Sequence, residues 1–155
     1  MNKLDSLRAA ITQALPELQK SPENLRLWIS RGSGRCQATA SHAFGFDYEA
    51  NVLIVEMGSD FAVLAHAIFR WLRVNQPALV VPPNEGFTFD VDPLDNGTAD
   101  VLLQLRLTQN VTVAQKETGG FDMHYLAEPD PLFADGLGFE DAMPVPPFAG
   151  VDIDD

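Results

Sequence analysis

Four acids, Asp90, Asp92, Asp95 and Asp100, crowd into residues 90–100, and carboxylates at such density are the ligands a hard divalent cation selects. The spacing fails for a calcium loop. Counted from Asp92, Asn96 and Gly97 take the fifth and sixth places, but Leu94 and Leu103 stand at the third and twelfth, where oxygen ligands are required. His42, His66 and His124 lie in separate segments, and none has a second ligand at metal spacing. Ser33 stands between Gly32 and Gly34, but Arg31 and Arg35 occupy the positions that a nucleophile elbow gives to glycine. Cys36 alternates within an extended segment with nothing beside it to activate a thiol, and reads as a small buried apolar residue. No phosphate-binding glycine loop is present. Catalysis needs titratable groups that converge, and these do not. The expectation is no catalytic residue, no metal site and no cofactor.

The charge points the same way. The chain has 155 residues and a net charge of -12. Residues 127–155 hold eight of its 22 acids and none of its 10 lysines and arginines, so the remainder carries 14 acids against 10 bases. Affinity for nucleic acid comes mainly from Lys and Arg, so an acidic body argues against it. No apolar run approaches the roughly 20 residues that span a bilayer, and no signal peptide is visible at the start, which predicts a cytosolic site of synthesis without a membrane role. A single cysteine excludes an intrachain disulfide.

The positioning elements follow from periodicity. Leu4, Leu7, Ala10, Ile11, Ala14, Leu15 and Leu18 keep helical spacing, with Asp5 and Ser6 as capping groups and Pro16 as a kink or stop. Residues 25–29 alternate as a strand, Gly32-Ser33-Gly34 reads as a turn, and residues 35–44 alternate again, which predicts a hairpin. A third strand covers residues 46–57. Its centre, Val52 to Val55, is apolar on both faces and predicts a central strand covered on both sides.

Residues 60–77 form the longest apolar helix. Ser59 or Asp60 caps it, and Asn75-Gln76-Pro77 stops it. Phe61, Leu64, Ala65, Ile68 and Leu72 form a row for the sheet, and Val63, Ala67 and Trp71 form a second row that asks for another neighbour. A proline-bearing loop, two strands joined at Asn96-Gly97, and a weaker hairpin around residues 118–120 complete the domain. The prediction is one α+β domain over residues 1–127, an antiparallel sheet packed by two helices in the order α-β-β-β-α-β-β plus the weak hairpin. Residues 128–155, rich in Pro, Gly and acids, predict an extended or disordered segment whose Phe133, Phe139 and Phe148 are candidates for docking on a partner.

With these residues laid out, the chain resembles the tail completion protein R (GpR) family of Peduovirus-type contractile-tailed phages and prophages, from about residue 6 to residue 131. The likeness rests on Ser6-Leu7-Arg8, Asn24-Leu25, Gly45-Phe46 with Tyr48, Gly58 with Asp60, Gly86-Phe87-Thr88-Phe89, Asp100 with Leu103, Leu105 and Thr108, and Glu128-Pro129. Its most specific piece is Trp71-Leu72-Arg73 followed by Asn75-Gln76-Pro77. Gln109 departs from the acidic residue expected after Leu107-Thr108.

The resemblance implies a structural virion protein that caps the head-proximal end of the tail tube, ends tail growth and makes the tail competent for head joining. Phage tail terminators are similar in size and element order and act as six-membered rings, which implies a ring-shaped homo-oligomer, a hexamer by that likeness. The implied partners are tail tube, sheath and head-tail connector proteins. The implied place is the virion tail, after assembly in the host bacterial cytoplasm. It further implies an oligomer or tail interface at Trp71, Arg73, Asn75, Gln76 and Pro77, as against Trp71 packing under the 79–83 loop of its own chain. Two other readings stand beside it. One is a small cytosolic enzyme, which requires His66, Asp60 or Cys36 to cluster in a pocket. The other is an interaction module whose acidic C-terminal segment binds a basic partner.

Overall fold

A computed structural model describes residues 2–36 and 42–127. Leucines and isoleucine at helical spacing build α1 (Asn2–Ala14), and Pro16, which has no amide hydrogen to continue the ladder, opens the short α2 (Pro16–Lys20). Leu7, Ile11, Leu15 and Leu18 are fully buried along these two helices. Each such side chain contributes roughly 1.5–3 kcal/mol by leaving water. Asp5 and Ser6 do not cap α1, because the helix already begins at Asn2.

Two long strands follow, β1 (Leu25–Cys36) and β2 (Phe44–Met57), and after them α3 (Phe61–Asn75). Asp60 is the N-cap of α3, its carboxylate accepting the Ala62 N–H at 2.9 Å, and the helix stops where Gln76 and Pro77 turn the chain into a 3₁₀ turn, Pro77–Val80. The short β3 (Thr88–Pro93), the long β4 (Ala99–Gln115) and β5 (Phe121–Tyr125) are the last of the described elements. The link between β3 and β4 is the expected Asn96-Gly97 turn, with Gly97 at φ +83°.

All pairings are antiparallel, in the order β1-β2-β4-β3, with β5 on the far half of β4. Cross-strand pairs Tyr48 with Leu107, Ala50 with Leu105, Val52 with Leu103 and Ile54 with Val101 line one face and are all buried. They join the buried residues of α1, α2 and α3 in a single core. The α+β class and the helices on an antiparallel sheet are as the periodicity predicts.

Three expectations are corrected. Gly32-Ser33-Gly34 is not a turn. β1 runs straight through it, pairing Gly32 with Tyr48 and Gly34 with Phe46, so among the described residues two strands rather than three precede α3. A β-carbon on Gly32 would lie 3.3 Å from Cβ of Tyr48, so the glycine serves a close strand approach. Cys36 is exposed, not buried, because it ends the edge strand β1, which is exposed from Trp28 onward, with only Leu25 buried and Leu27 half-buried at its start. β2 is central as expected, but the helices cover one face only. Leu53 and Val55, which point the other way, are half-buried beside neighbours on the open face such as Leu102.

Candidate functional site

The end of α3 divides the candidate interface residues by role. Trp71 is 5% exposed, and its indole N–H donates to the Ser6 hydroxyl at 2.9 Å. The second neighbour that the helix called for is therefore α1 of the same chain. Asn75 donates from Nδ2 to the Trp71 carbonyl at 3.0 Å, closing the last turn. Gln76 is buried, accepting from the Lys3 ammonium at 2.8 Å and from the Thr108 N–H at 3.0 Å. Pro77 is buried as the first residue of the 3₁₀ turn. Arg73 is exposed, and Val74 beside it is 72% exposed. The segment thus joins a buried framework to a surface carrying Arg70, Arg73 and Val74. Phe133, Phe139 and Phe148 lie outside the described residues.

A groove of about 610 Å³ opens beside that surface, between α3, the loop after the 3₁₀ turn and the edge strand β3. Its wall is aromatic. Phe69 stacks near Phe87 at 5.0 Å between ring centroids, and Phe61 lies 4.4 Å from Phe89, distances at which aromatic pairs attract. Gly86 makes this approach close, since a β-carbon there would meet the Phe69 ring at 2.7 Å. Arg73 and Glu85 are its charged lining residues. None of this was legible as a site, because Phe69 and Phe87 are far apart in sequence and the spacing within each element explains only its own helix or strand.

The other chemistry-bearing residues serve structure. Asp100 accepts the Glu56 N–H at 3.0 Å, where β2 bulges and Glu56 takes a left-handed φ of 57°. Asp60 is a helix cap, His66 is exposed on α3, and His42 lies 5.3 Å from the Phe121 ring. Asp60, His66 and Cys36 do not line the groove. Glu17 on α2 binds the strand-to-helix corner, its carboxylate accepting from the Gly58 N–H at 2.9 Å and from the Ser59 N–H and hydroxyl at 2.8 Å. Partial burial works to raise its pKa, but these hydrogen bonds, with one from its own amide, outweigh that and hold it below the ordinary carboxylate value. Burial, and behind it the nearby Tyr125, push the Tyr48 phenol well above its usual range. Among the described residues no group of three acids, histidines or cysteines is placed to hold a metal, and no helix is long and apolar enough to cross a membrane.

An arrangement with a buried frame, an open aromatic groove and no convergent titratable groups is suited to binding protein. The comparison with known sequences gives this a family. Residues 1–129, a span that takes in every described residue, match the P2 phage tail completion protein R (GpR) family. The chain belongs to that family. It is 33% identical over 134 residues to tail completion protein R of Escherichia phage P2, covering 84% of this chain and 86% of that protein. No solved structure matches the chain. GpR membership makes the chain a phage tail protein of a structural family, a virion component whose interactions are with other tail proteins, and the enzyme reading has no support.

Proposed function

We propose that this protein completes the phage tail by capping the head-proximal end of the tail tube, which ends tail growth and makes the tail competent for joining to a head. The supporting observation is the family match over residues 1–129, which takes in every described residue. The mechanism is geometric. A ring of copies that matches the symmetry of the tube adds at one end and buries the surface on which the next tube ring would stack, so a closed assembly stops an open one. Likeness to tail terminators favours a ring of six, formed in the host bacterial cytoplasm and contacting tube, sheath and connector proteins.

The interface in this reading is built on the segment that carries Trp71, Arg73, Asn75, Gln76 and Pro77. Trp71, Gln76 and Pro77 hold the corner rigid from within, and Arg73 with its exposed neighbours makes the contact. The C-terminal segment with Phe133, Phe139 and Phe148 supplies aromatic anchors, and Phe148 is the one beyond the reach of this chain's own groove that is left for a partner surface. Antibody labelling of intact particles tests the position. Label at the head-tail junction is expected, and label at the distal end of the tail would contradict it.

A further inference from the structure

The groove between α3 and β3 leaves apolar surface in water. In its wall Phe69 is 40% exposed and Phe89 50%, and Val91, two residues farther along β3, is 43% exposed. Contiguous apolar surface of this kind marks a binding site, and the path of the chain identifies an occupant. β5 runs antiparallel to β4, passing Gln115 first and Val111 last. The Leu126 N–H then donates to the Asn110 carbonyl at 2.8 Å, so the chain is still following that edge of β4 as it nears Ala127. Farther along the same edge stands β3, whose first residue Thr88 lies opposite Gln104.

We propose that residues 128–139 of the same chain fold back along this edge and seat Phe133 in the groove between α3 and β3. The reach fits. Gln109 to Gln104 is about 17 Å of strand, and residues 128–133, extended, cover about 20 Å. The exit is at the right place, because Leu126 and Ala127 share a hollow with Val74 and Asn75, next to Arg73 of the groove. A simple lengthening of β5 is disfavoured from both sides of the pair. Pro129 and Pro131 have no amide hydrogen for the ladder, and the polar groups of Thr108 on that edge are already taken by Gln76 and Lys3.

Charge agrees. The C-terminal segment has eight acids and no base, with Glu128, Asp130 and Asp135 flanking Phe133, and the exposed face of α3 beside the groove carries Arg70 and Arg73. Glu85 is the one opposing charge in the groove wall. A tether this short closes at small entropic cost and keeps its anchor at high local concentration, which favours the chain's own segment over that of a second copy.

The test uses the full-length protein with a benzophenone-bearing phenylalanine in place of Phe133, irradiated at low concentration and mapped by mass spectrometry. Links to residues 69–73 or 84–89 within one chain are expected, and Arg73→Glu in the same protein lowers their yield several-fold. Mixing isotopically heavy and light chains separates links within a chain from links between copies. Links only between copies, links elsewhere on the domain, no link, or a yield indifferent to Arg73→Glu would each overturn the proposal.

Discussion

Lys3 donates from its ammonium to Oε1 of Gln76 at 2.8 Å, and together the two side chains stand in for a missing strand. β3 pairs with β4 as far as Gln104, and β5 takes over at Val111. In the interval Gln76 accepts the Thr108 N–H at 3.0 Å, and Lys3 donates to the Thr108 carbonyl. The Lys3 backbone N–H also reaches Oε1 of Gln109 at 3.2 Å, so the first turn of α1, the end of α3 and the middle of β4 meet in one buried polar group.

Breaking this group should be costly and non-additive. Lys3→Met or Gln76→Leu is expected to lose about 1.5–3 kcal/mol, the range for hydrogen bonds to charged groups. The double variant should lose clearly less than the sum, because both changes remove the Lys3–Gln76 bond, which the sum counts twice. Urea unfolding midpoints measure this, and strict additivity would show that the two residues act independently.

Trp71 and Arg73 should separate folding from assembly. Trp71→Phe keeps most of the burial but loses the bond to Ser6 and the smaller ring of the indole, at about 1–3 kcal/mol. Trp71→Ala is expected to cost about 3–5 kcal/mol through the cavity left. Arg73→Ala, on the surface, should change stability by less than about 0.5 kcal/mol and yet reduce tail completion. Normal completion by a folded Arg73→Ala protein would remove this face of α3 from the interface.

Glu17 should make the domain acid-sensitive. Its carboxyl pKa is lower in the folded protein than in the unfolded chain, so its hydrogen bonds contribute fully above the unfolded value and are lost as pH falls through the folded one. Glu17→Gln should therefore be less stable than the parent at neutral pH, with the gap closing in acid. Thermal unfolding across pH 3–7 reads it, and a gap independent of pH would contradict the assignment.

Gly86→Ala should force the Phe69 ring and Leu72 aside, since the new methyl would stand 2.7 Å from the first and 3.1 Å from the second. A loss of about 1–3 kcal/mol is expected for overpacking of this kind. Stability equal to the parent would mean that the exposed Phe69 ring swings clear freely.

The parts legible in the sequence were those governed by local rules. The row Leu7, Ile11, Leu18, the stop at Pro16, the Asp60 cap and the Asn96-Gly97 turn each depend on residues within a few positions of one another. The parts that were not legible depend on what a residue meets across the fold. Gly32-Ser33-Gly34 has turn composition, but Gly32 is there to let β1 approach Tyr48. Cys36 alternates like a core residue and is exposed at the end of an edge strand whose outer part carries no buried residue. Trp71 asked for a neighbour, and only the fold reveals Ser6, 65 positions away, as its partner. Family likeness drew attention to the end of α3, but the groove beside it arises from elements that meet only in three dimensions.

Tail completion itself is tested most directly by electron microscopy of particles produced when the gene for this chain is absent and all other tail genes are intact. The account predicts heads and tails that fail to join, with tails of irregular length or unfinished head-proximal ends, restored by supplying the full-length protein. Tails of normal length joined to heads in its absence would contradict it.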